Sequence, residues 1–338
     1  MKIDIFCHVI DYFGDVAVTY RLARALSLQQ SDLSIRFFCT HPEIITRLYP
    51  DKNLLPITVY DYDTPHKLDL ADVAIEAFAC ELPKHYIKPA LIINLEYLTA
   101  ENWITEYHEL ESIGMNPAGK KFFFFPSIDD QAGSLTHGDF LQCKKTYLHN
   151  KELYKQQLTQ ELSLPIDFLD RPWLVIYAYA LDPASWSFLA ESFAIIHIET
   201  KPAPITSQWI ATRRCSQKIF DMLLILSDML IIRGEDSLSR ALLTGKPFLW
   251  QAYKQEEEYH LIKVEALYQR LTQMQPNEAW LSWHQIEIAL NQQNTISQEF
   301  FLDLMQMSHL FQGTATKIAQ YESLEKKLLA FIQQNISL

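Results

Sequence analysis

Short apolar runs alternate with longer amphipathic stretches along most of the chain, and this alternation predicts the elements. Residues 2–9 are rich in Ile, Phe and Val and read as a first strand. After a short loop, residues 16–28 place Val18, Leu22, Ala25 and Leu26 on one helical face. Residues 33–39 repeat the strand pattern, a helix opens at Pro42, and residues 54–60, 72–78, 91–95 and 121–125 read as further strands. Residues 131–141 look like loop and 151–162 like a polar amphipathic helix. The stretch from Pro165 to Pro172 has no clear period and reads as a linker.

The pattern then restarts. A strand is expected over 173–180, a helix from Asp182 and Pro183 to about Phe193, and a strand over 194–198. A helix over 217–226, a strand over 229–232 and a helix over 238–244 follow, the last stopped by Gly245 and Pro247. A strand over 247–251 and a helix over 256–271 complete the series. The remaining stretches, 283–290, 298–311 and 315–334, are helical. Alternating β and α units predict parallel sheets with helices on both faces, hence two Rossmann-like domains, residues 1–165 and 166–338, the second carrying a helical tail. No GxGxxG follows either first strand and no GxxxxGK[ST] occurs, so neither a dinucleotide fingerprint nor a P-loop is present.

Composition narrows this picture without redirecting it. Hydrophobic residues make up 49% of 338, enough for two sizeable cores, and charged residues only 21%. The formal net charge of −12 argues against a general nucleic-acid binder and favours a partner with a basic face. Five scattered cysteines without a CxxC pair read as thiols in a reducing compartment. With no signal-like N-terminus and no apolar run long enough to span a bilayer, a cytoplasmic protein with no membrane association is expected.

Candidate chemistry concentrates at strand ends. Arg233-Gly234-Glu235-Asp236-Ser237 occupies a strand-to-helix corner, where an open α/β sheet presents helix N-terminal N–H groups to an anion. Asp236 or Ser237 also fits a plain N-cap. In the first loop Asp11 and Asp15 enclose Gly14; they suit a general-base pair, with an N-cap and a surface carboxylate as the plainer alternative. Glu96 follows a buried strand, as an anchoring acceptor or a site residue. Gln217 and Phe220 share a helix face at i and i+3, suiting a pyrimidine by hydrogen bonding and stacking, or simply a capped amphipathic helix. Tyr179 ends the first strand of the second domain. Phe122 to Phe125 read as core, and Trp250 and Tyr253 as packing residues near a strand end. His108, His137 and His260 have no shared metal spacing.

An ordered set of these pieces resembles the EarP family, protein-arginine rhamnosyltransferases that modify bacterial translation elongation factor P. The matching residues are Asp4-Ile5-Phe6-Cys7, Asp11-x-x-Gly14-Asp15, Arg21-Leu22-Ala23-Arg24, Cys80-Glu81-Leu82-Pro83, Asn94-Leu95-Glu96-Tyr97-Leu98 with Trp103, Arg233 to Ser237, and Lys246 to Gln251 with Tyr253 and His260. They span residues 4 to about 260. The chain departs from the family at Ser127, where Gly is expected, and at Tyr20, where Trp is usual.

The resemblance implies a GT-B glycosyltransferase, two facing Rossmann-like domains with the active site between them. It implies dTDP-β-L-rhamnose as donor, an arginine of elongation factor P as acceptor, inversion at the anomeric carbon, and no metal or other cofactor. By position, Asp15 is the general base, Asp11 its neighbour near the acceptor, and Glu235 a contact to the sugar or reacting centre. Asp236 and Ser237 lie on the diphosphate side, Arg233 neutralises leaving-group charge or holds the loop, Gln217 and Phe220 contact thymine, and Tyr179 is a further donor-site residue. Two other readings share the pattern: a nucleotide-sugar-binding protein without turnover, and a GT-B enzyme with a small-molecule acceptor.

Overall fold

The computed structural model describes residues 1–10, 13–50, 55–64, 68–179, 181–199, 204–294, 296 and 298–336. In the first unit the chain runs β1 (Lys2–Cys7), α1 (Gly14–Gln29), β2 (Ser34–Cys39), α2 (Glu43–Leu48), β3 (Ile57–Asp61), β4 (Val73–Ala77), β5 (Leu91–Leu95), α3 (Ile104–Tyr107) and β6 (Lys120–Phe124). The six strands form one parallel sheet in the order β3-β2-β1-β4-β5-β6. Strands covered on both faces read as near-continuous apolar runs, and β1 does so. Ile3, Ile5 and Cys7 join the core shared with Leu22 and Leu26 of α1. Phe6 faces the other way and stacks on Phe38 with ring centroids 4.6 Å apart.

Asp4 is the polar interruption in β1. Its carboxylate is fully buried and accepts from Arg36 Nε at 2.6 Å, Arg36 Nη2 at 2.8 Å and the Tyr86 hydroxyl at 2.8 Å. A buried charge pair of this kind persists because both partners are held by several hydrogen bonds.

The second unit contains α4 (Phe140–His149), α5 (Lys151–Glu161), β7 (Trp173–Ile176), α6 (Leu189–Ser192), β8 (Ala194–Glu199), β9 (Pro204–Thr206), β10 (Trp209–Arg213), α7 (Gln217–Leu226), β11 (Met229–Arg233), α8 (Gly234–Thr244), β12 (Phe248–Gln251), α9 (Tyr259–Met274), α10 (Ala279–Asn291), α11 (Gln298–Gln306) and α12 (Ser308–Ile318). Its sheet order is β12-β11-β7-β8-β10-β9, parallel except for the β9–β10 pair. A last helix, α13 (Leu324–Ile336), belongs to the first unit, where Leu328, Phe331 and Ile332 enter the core of β1, β4 and β5.

The two units are Met1–Asp139 with Tyr321–Leu338, and Phe140–Gln320, so the expected division at residue 165 is displaced. The Pro165–Pro172 stretch is packed chain, not linker. It holds a short 3-10 turn, Ile166–Asp170, whose Phe168 is fully buried and whose Phe168 carbonyl accepts the Trp173 indole N–H at 2.8 Å. Helices α4 and α5 pack on α7 and so belong with the second sheet.

Other boundaries also shift. The first strand ends at Cys7, not Val9, and the one expected over 173–180 ends at Ile176. The helix expected from Asp182 shrinks to Leu189–Ser192, because the Asp182 carboxylate folds its own turn by accepting from the Ala184 and Ser185 N–H groups, each at 3.2 Å. Helix α9 starts at Tyr259, since Glu257 and Glu258 are left-handed with φ of 52° and 60°. The β9–β10 hairpin was not anticipated.

The edge strand β6 is covered by the segment after α3, a common device against edge pairing. Phe123 N–H donates to the Leu110 carbonyl at 3.1 Å and Ser112 N–H to that of Lys121 at 2.7 Å. His108 fixes this cover: its Nδ1 accepts the Phe125 N–H at 3.1 Å, which requires an unprotonated nitrogen. Burial, with a smaller contribution from nearby Lys327, lowers its pKa to about 4. The unfolded imidazole titrates near 6.5, so between these values the folded chain binds fewer protons. Stability is therefore full above about pH 6.5 and is lost as pH falls toward 4, by up to about 3 kcal/mol. Urea unfolding at about pH 7 and about pH 4.5 checks this: His108→Gln is expected to lose less stability between the two conditions than the parent chain.

Candidate functional site

Chemistry-bearing residues gather at one strand-to-helix corner in each unit. In the second sheet β7, the unit's first strand, lies between β8 and β11, so successive connections leave it on opposite sides. Ligands of open α/β sheets bind beyond the C-terminal ends of strands at such a switch point. Arg233 ends β11 in extended conformation, Gly234 has φ +70°, and α8 begins at once. A Cβ added at Gly234 would lie 3.5 Å from the Tyr179 hydroxyl, an ordinary contact. Glycine is thus demanded by the backbone angle and not by lack of space.

The early helix start corrects one expectation. Asp236 and Ser237 are not N-caps; with Glu235 they lie in the first turn, where helix geometry leaves four N–H groups without partners in the helix. Ser237 is buried, whereas Glu235 and Asp236 are partly exposed. Lys263 Nζ lies 3.4 Å from Glu235 Oε1.

Arg233 is fixed by aromatic faces. Its guanidinium carbon lies 4.4 Å from the Tyr177 ring centroid and 4.5 Å from that of Tyr179, and Nη2 donates to the Tyr177 hydroxyl at 3.2 Å. A planar cation suits this double stacking, which an ammonium would not reproduce. Tyr177 meets Phe220 edge-on at 5.4 Å, and Tyr179 meets Tyr253 at 5.6 Å. The Tyr179 N–H donates to Gln251 Oε1 at 2.8 Å. Gln217, buried at the start of α7, points Nε2 toward Asp236 Oδ2 and Asp221 Oδ1, each at 3.4 Å. The second-unit candidates Tyr179, Gln217, Phe220, Arg233, Glu235, Asp236 and Ser237 therefore fall at this corner.

The corner rests on a buried chain of hydrogen bonds. Trp250 Nε1 donates to the Gly234 carbonyl at 2.9 Å. The Trp250 N–H donates to Glu287 Oε1 at 2.7 Å, and Asn291 Nδ2 donates to the Trp250 carbonyl at 2.9 Å. Glu287 is fully buried, and desolvation pushes its pKa well above the usual carboxylate range, only partly opposed by the Trp250 N–H.

In the first unit Asp15 lies in the first turn of α1, after an N-cap at Phe13. It is buried; Oδ2 accepts the Ile10 N–H at 2.8 Å and Oδ1 accepts the Tyr97 hydroxyl at 3.1 Å. The Tyr97 ring stacks on Phe78 at 3.9 Å. Phe78 and Ala79 are left-handed, with φ of 59° and 53°. The Phe78 N–H donates to the Leu95 carbonyl and the Ala79 N–H to Asn94 Oδ1, holding that strained turn. Asn94 Nδ2 also donates to Glu96 Oε1 at 2.6 Å, and burial raises the Glu96 pKa. Asp11 lies outside the described residues. Among the described residues no group of three or more His, Cys, Asp or Glu could hold a metal ion, and no helix is long and apolar enough to cross a membrane.

The family model described as Elongation-Factor P (EF-P) rhamnosyltransferase EarP matches residues 3–198 and 207–333. The chain belongs to the EarP family. A protein-arginine rhamnosyltransferase of Pseudomonas aeruginosa is 29% identical over 331 residues, covering 83% of this chain and 86% of the relative. The solved structure described as the structural basis for EarP-mediated arginine glycosylation of translation elongation factor EF-P superposes with a TM-score of 0.67 at 19% identity, over 98% of this chain and 99% of that one. The glycosyltransferase SnogD of Streptomyces nogalater superposes with a TM-score of 0.55 at 11% identity, over 98% and 99%. The chain thus has the GT-B fold, and as an EarP-family member it is an enzyme, a glycosyltransferase.

Several site residues escaped the sequence reading. Tyr177 lies just past the end of β7, and its spacing of two from Tyr179 is the signal that marks it. Lys263 on α9 and Glu287 on α10 carry no local motif, and Phe78 and Ala79 look ordinary in sequence because Asn94 holds their backbone. Glu287→Gln is expected to keep the second unit's stability nearly intact, because the amide oxygen still accepts the Trp250 N–H. Glu287→Leu leaves that donor unmet and should cost about 1–3 kcal/mol. Urea unfolding of the two variants measures the difference.

Proposed function

We propose that this enzyme transfers L-rhamnose from dTDP-β-L-rhamnose to one arginine side chain of translation elongation factor P, inverting the anomeric centre. The observation that carries the reading is the second unit's corner, where a helix N-terminus, an aromatic-stacked arginine and a buried glutamine converge at a sheet switch point. Family membership and the relatives' names supply the sugar and the acceptor.

In this reading the second unit, residues 140–320, holds the donor and the first unit the acceptor. Gln217 and Phe220 meet the thymine, one by its amide and the other by its ring. The Asp236 N–H, in the first turn of α8, and the Ser237 hydroxyl face the diphosphate; the Asp236 carboxylate turns to Gln217, away from like charge. Arg233 offsets charge on the departing diphosphate, Tyr179 lines the donor pocket and Glu235 contacts the sugar. With helix dipole and guanidinium in these roles, the leaving group needs no metal or other cofactor.

A guanidinium is protonated far above neutral pH and is a poor nucleophile. Asp15 accepts the proton as the arginine nitrogen forms its bond to the anomeric carbon and the bond to the diphosphate oxygen breaks on the opposite face. Asp11 binds the guanidinium beside it. Tyr97 and the Ile10 N–H orient the Asp15 carboxylate before the substrate arrives. Five free thiols and an acceptor in translation agree with a cytoplasmic enzyme that binds neither nucleic acid nor membrane.

Incubation with elongation factor P and dTDP-rhamnose, read by intact mass, tests the reading. A deoxyhexose-sized increase that disappears when one acceptor arginine is replaced supports it; dTDP binding without any increase overturns it. Asp15→Asn is expected to lower turnover by about 10²–10⁴-fold with donor affinity nearly unchanged. Phe220→Ala is expected to weaken dTDP binding roughly three- to tenfold by calorimetry.

A further inference from the structure

The four consecutive phenylalanines of β6 and its end divide between two faces. Phe122 and Phe124 meet Phe331 of α13 edge-on or tilted, at 5.1 and 5.8 Å, as core residues. Phe123 and Phe125 point to the other side. There, with Trp103 and Tyr107, they line an open hollow of about 380 Å³. Phe125, 6% exposed, is core with Ile104 and Ala132 as expected, and the partly buried Phe123 packs against it. Trp103 meets Phe125 edge-on at 5.4 Å and Tyr107 at 5.9 Å, yet remains 44% exposed, and Tyr107 46%.

Aromatic rings left in water on one concave face call for an occupant, and the surrounding charge states its sign. Glu106, Glu109 and Glu111 are exposed along the same stretch of chain. His108, held neutral by burial, does not offset Glu109. Lys327, whose charge reaches His108 and Glu109, is engaged by Asp130 at 2.6 Å and by the Ala132 carbonyl at 2.7 Å, and Lys121 of β6 is paired with Glu76. Aromatic faces beside carboxylates recognise arginine or lysine, whose apolar stems lie on rings while their charged ends reach the acids.

Position ties the hollow to the catalytic carboxylate of the same unit. The loop leaving β5 presents Tyr97 to Asp15 and, six residues later, Trp103 to the hollow. The Glu96 N–H donates to the Phe124 carbonyl at 3.0 Å, and Thr99 pairs with Ser127, so this loop is fastened along the end of β6.

We propose that the Trp103–Tyr107–Phe123–Phe125 hollow docks a basic segment of the protein acceptor, an arginine or lysine other than the one that is glycosylated. The proposal rests on the protein-acceptor reading above. It assigns this surface to affinity and selection of the acceptor and not to the chemical step.

Steady-state kinetics with elongation factor P, together with calorimetry for dTDP, tests it. Trp103→Ala is expected to raise the acceptor KM about tenfold while kcat at saturation and dTDP affinity stay within twofold. Glu106→Lys, a surface change that leaves the fold alone, is expected to raise the same KM at low salt, with the difference shrinking as salt is added. An unchanged acceptor KM in Glu106→Lys and in folded Trp103→Ala overturns the docking site, as does a loss confined to kcat or dTDP binding. These results leave arginine rhamnosylation standing. If the parent enzyme itself modifies no arginine of elongation factor P, it is the functional reading that fails.

Discussion

Strand β11 passes into helix α8 with no loop between them, and the left-handed backbone of Gly234 is what allows it. Without that turn the first N–H groups of α8 would begin a residue or more later, away from the sheet end. Replacing glycine there imposes the steric cost of a left-handed side chain, of order 1–2 kcal/mol. The rest of the corner follows from it. The Gly234 carbonyl, the first of the helix, also accepts the Trp250 indole N–H. Trp250 is placed by the buried Glu287, so a residue on a distant helix bears on the geometry of the corner.

The first unit solves a related problem with different material. Its carboxylate, Asp15, is held by a backbone N–H and a tyrosine hydroxyl, and the tyrosine is held by a ring stacked on a strained, non-glycine turn. Strain at Phe78 and Ala79 persists because Asn94 and the Leu95 carbonyl leave the turn no alternative. Both corners therefore rest on left-handed backbone, borne without strain at Gly234 and with strain at Phe78 and Ala79.

Most of the architecture was legible in the sequence because parallel strands buried on both faces leave near-continuous apolar runs, as in Leu91–Ile93 and Met229–Ile232. Short elements were not. Strand β10 mixes Trp209 and Ile210 with Thr212 and Arg213 on a sheet margin, and α6 is a single turn, so neither leaves a period to read. Prolines at 165 and 172 mimic a linker, whereas Phe168 between them is core. The site was legible where strand ends carry unusual polar clusters, as at Arg233 to Ser237. It was hidden where the corner rests on residues remote in sequence, as with Glu287, or where the side of a strand that a ring faces decides its surroundings, as with Phe123 and Phe125.

Helix α13 supplies Leu324, Leu328 and Ile332 to a core that otherwise consists of residues from the first part of the chain, and the Glu325 carboxylate accepts N–H groups from His137 and Gly138. During synthesis this first unit therefore emerges with an apolar face uncovered and must wait while the whole second unit is made. Domains of such an enzyme do not finish folding in the order in which they are translated. The strands and helices of the second unit are all made before α13, the first unit's final layer, is synthesised. The unit that begins the polypeptide is thus the last to become chemically complete.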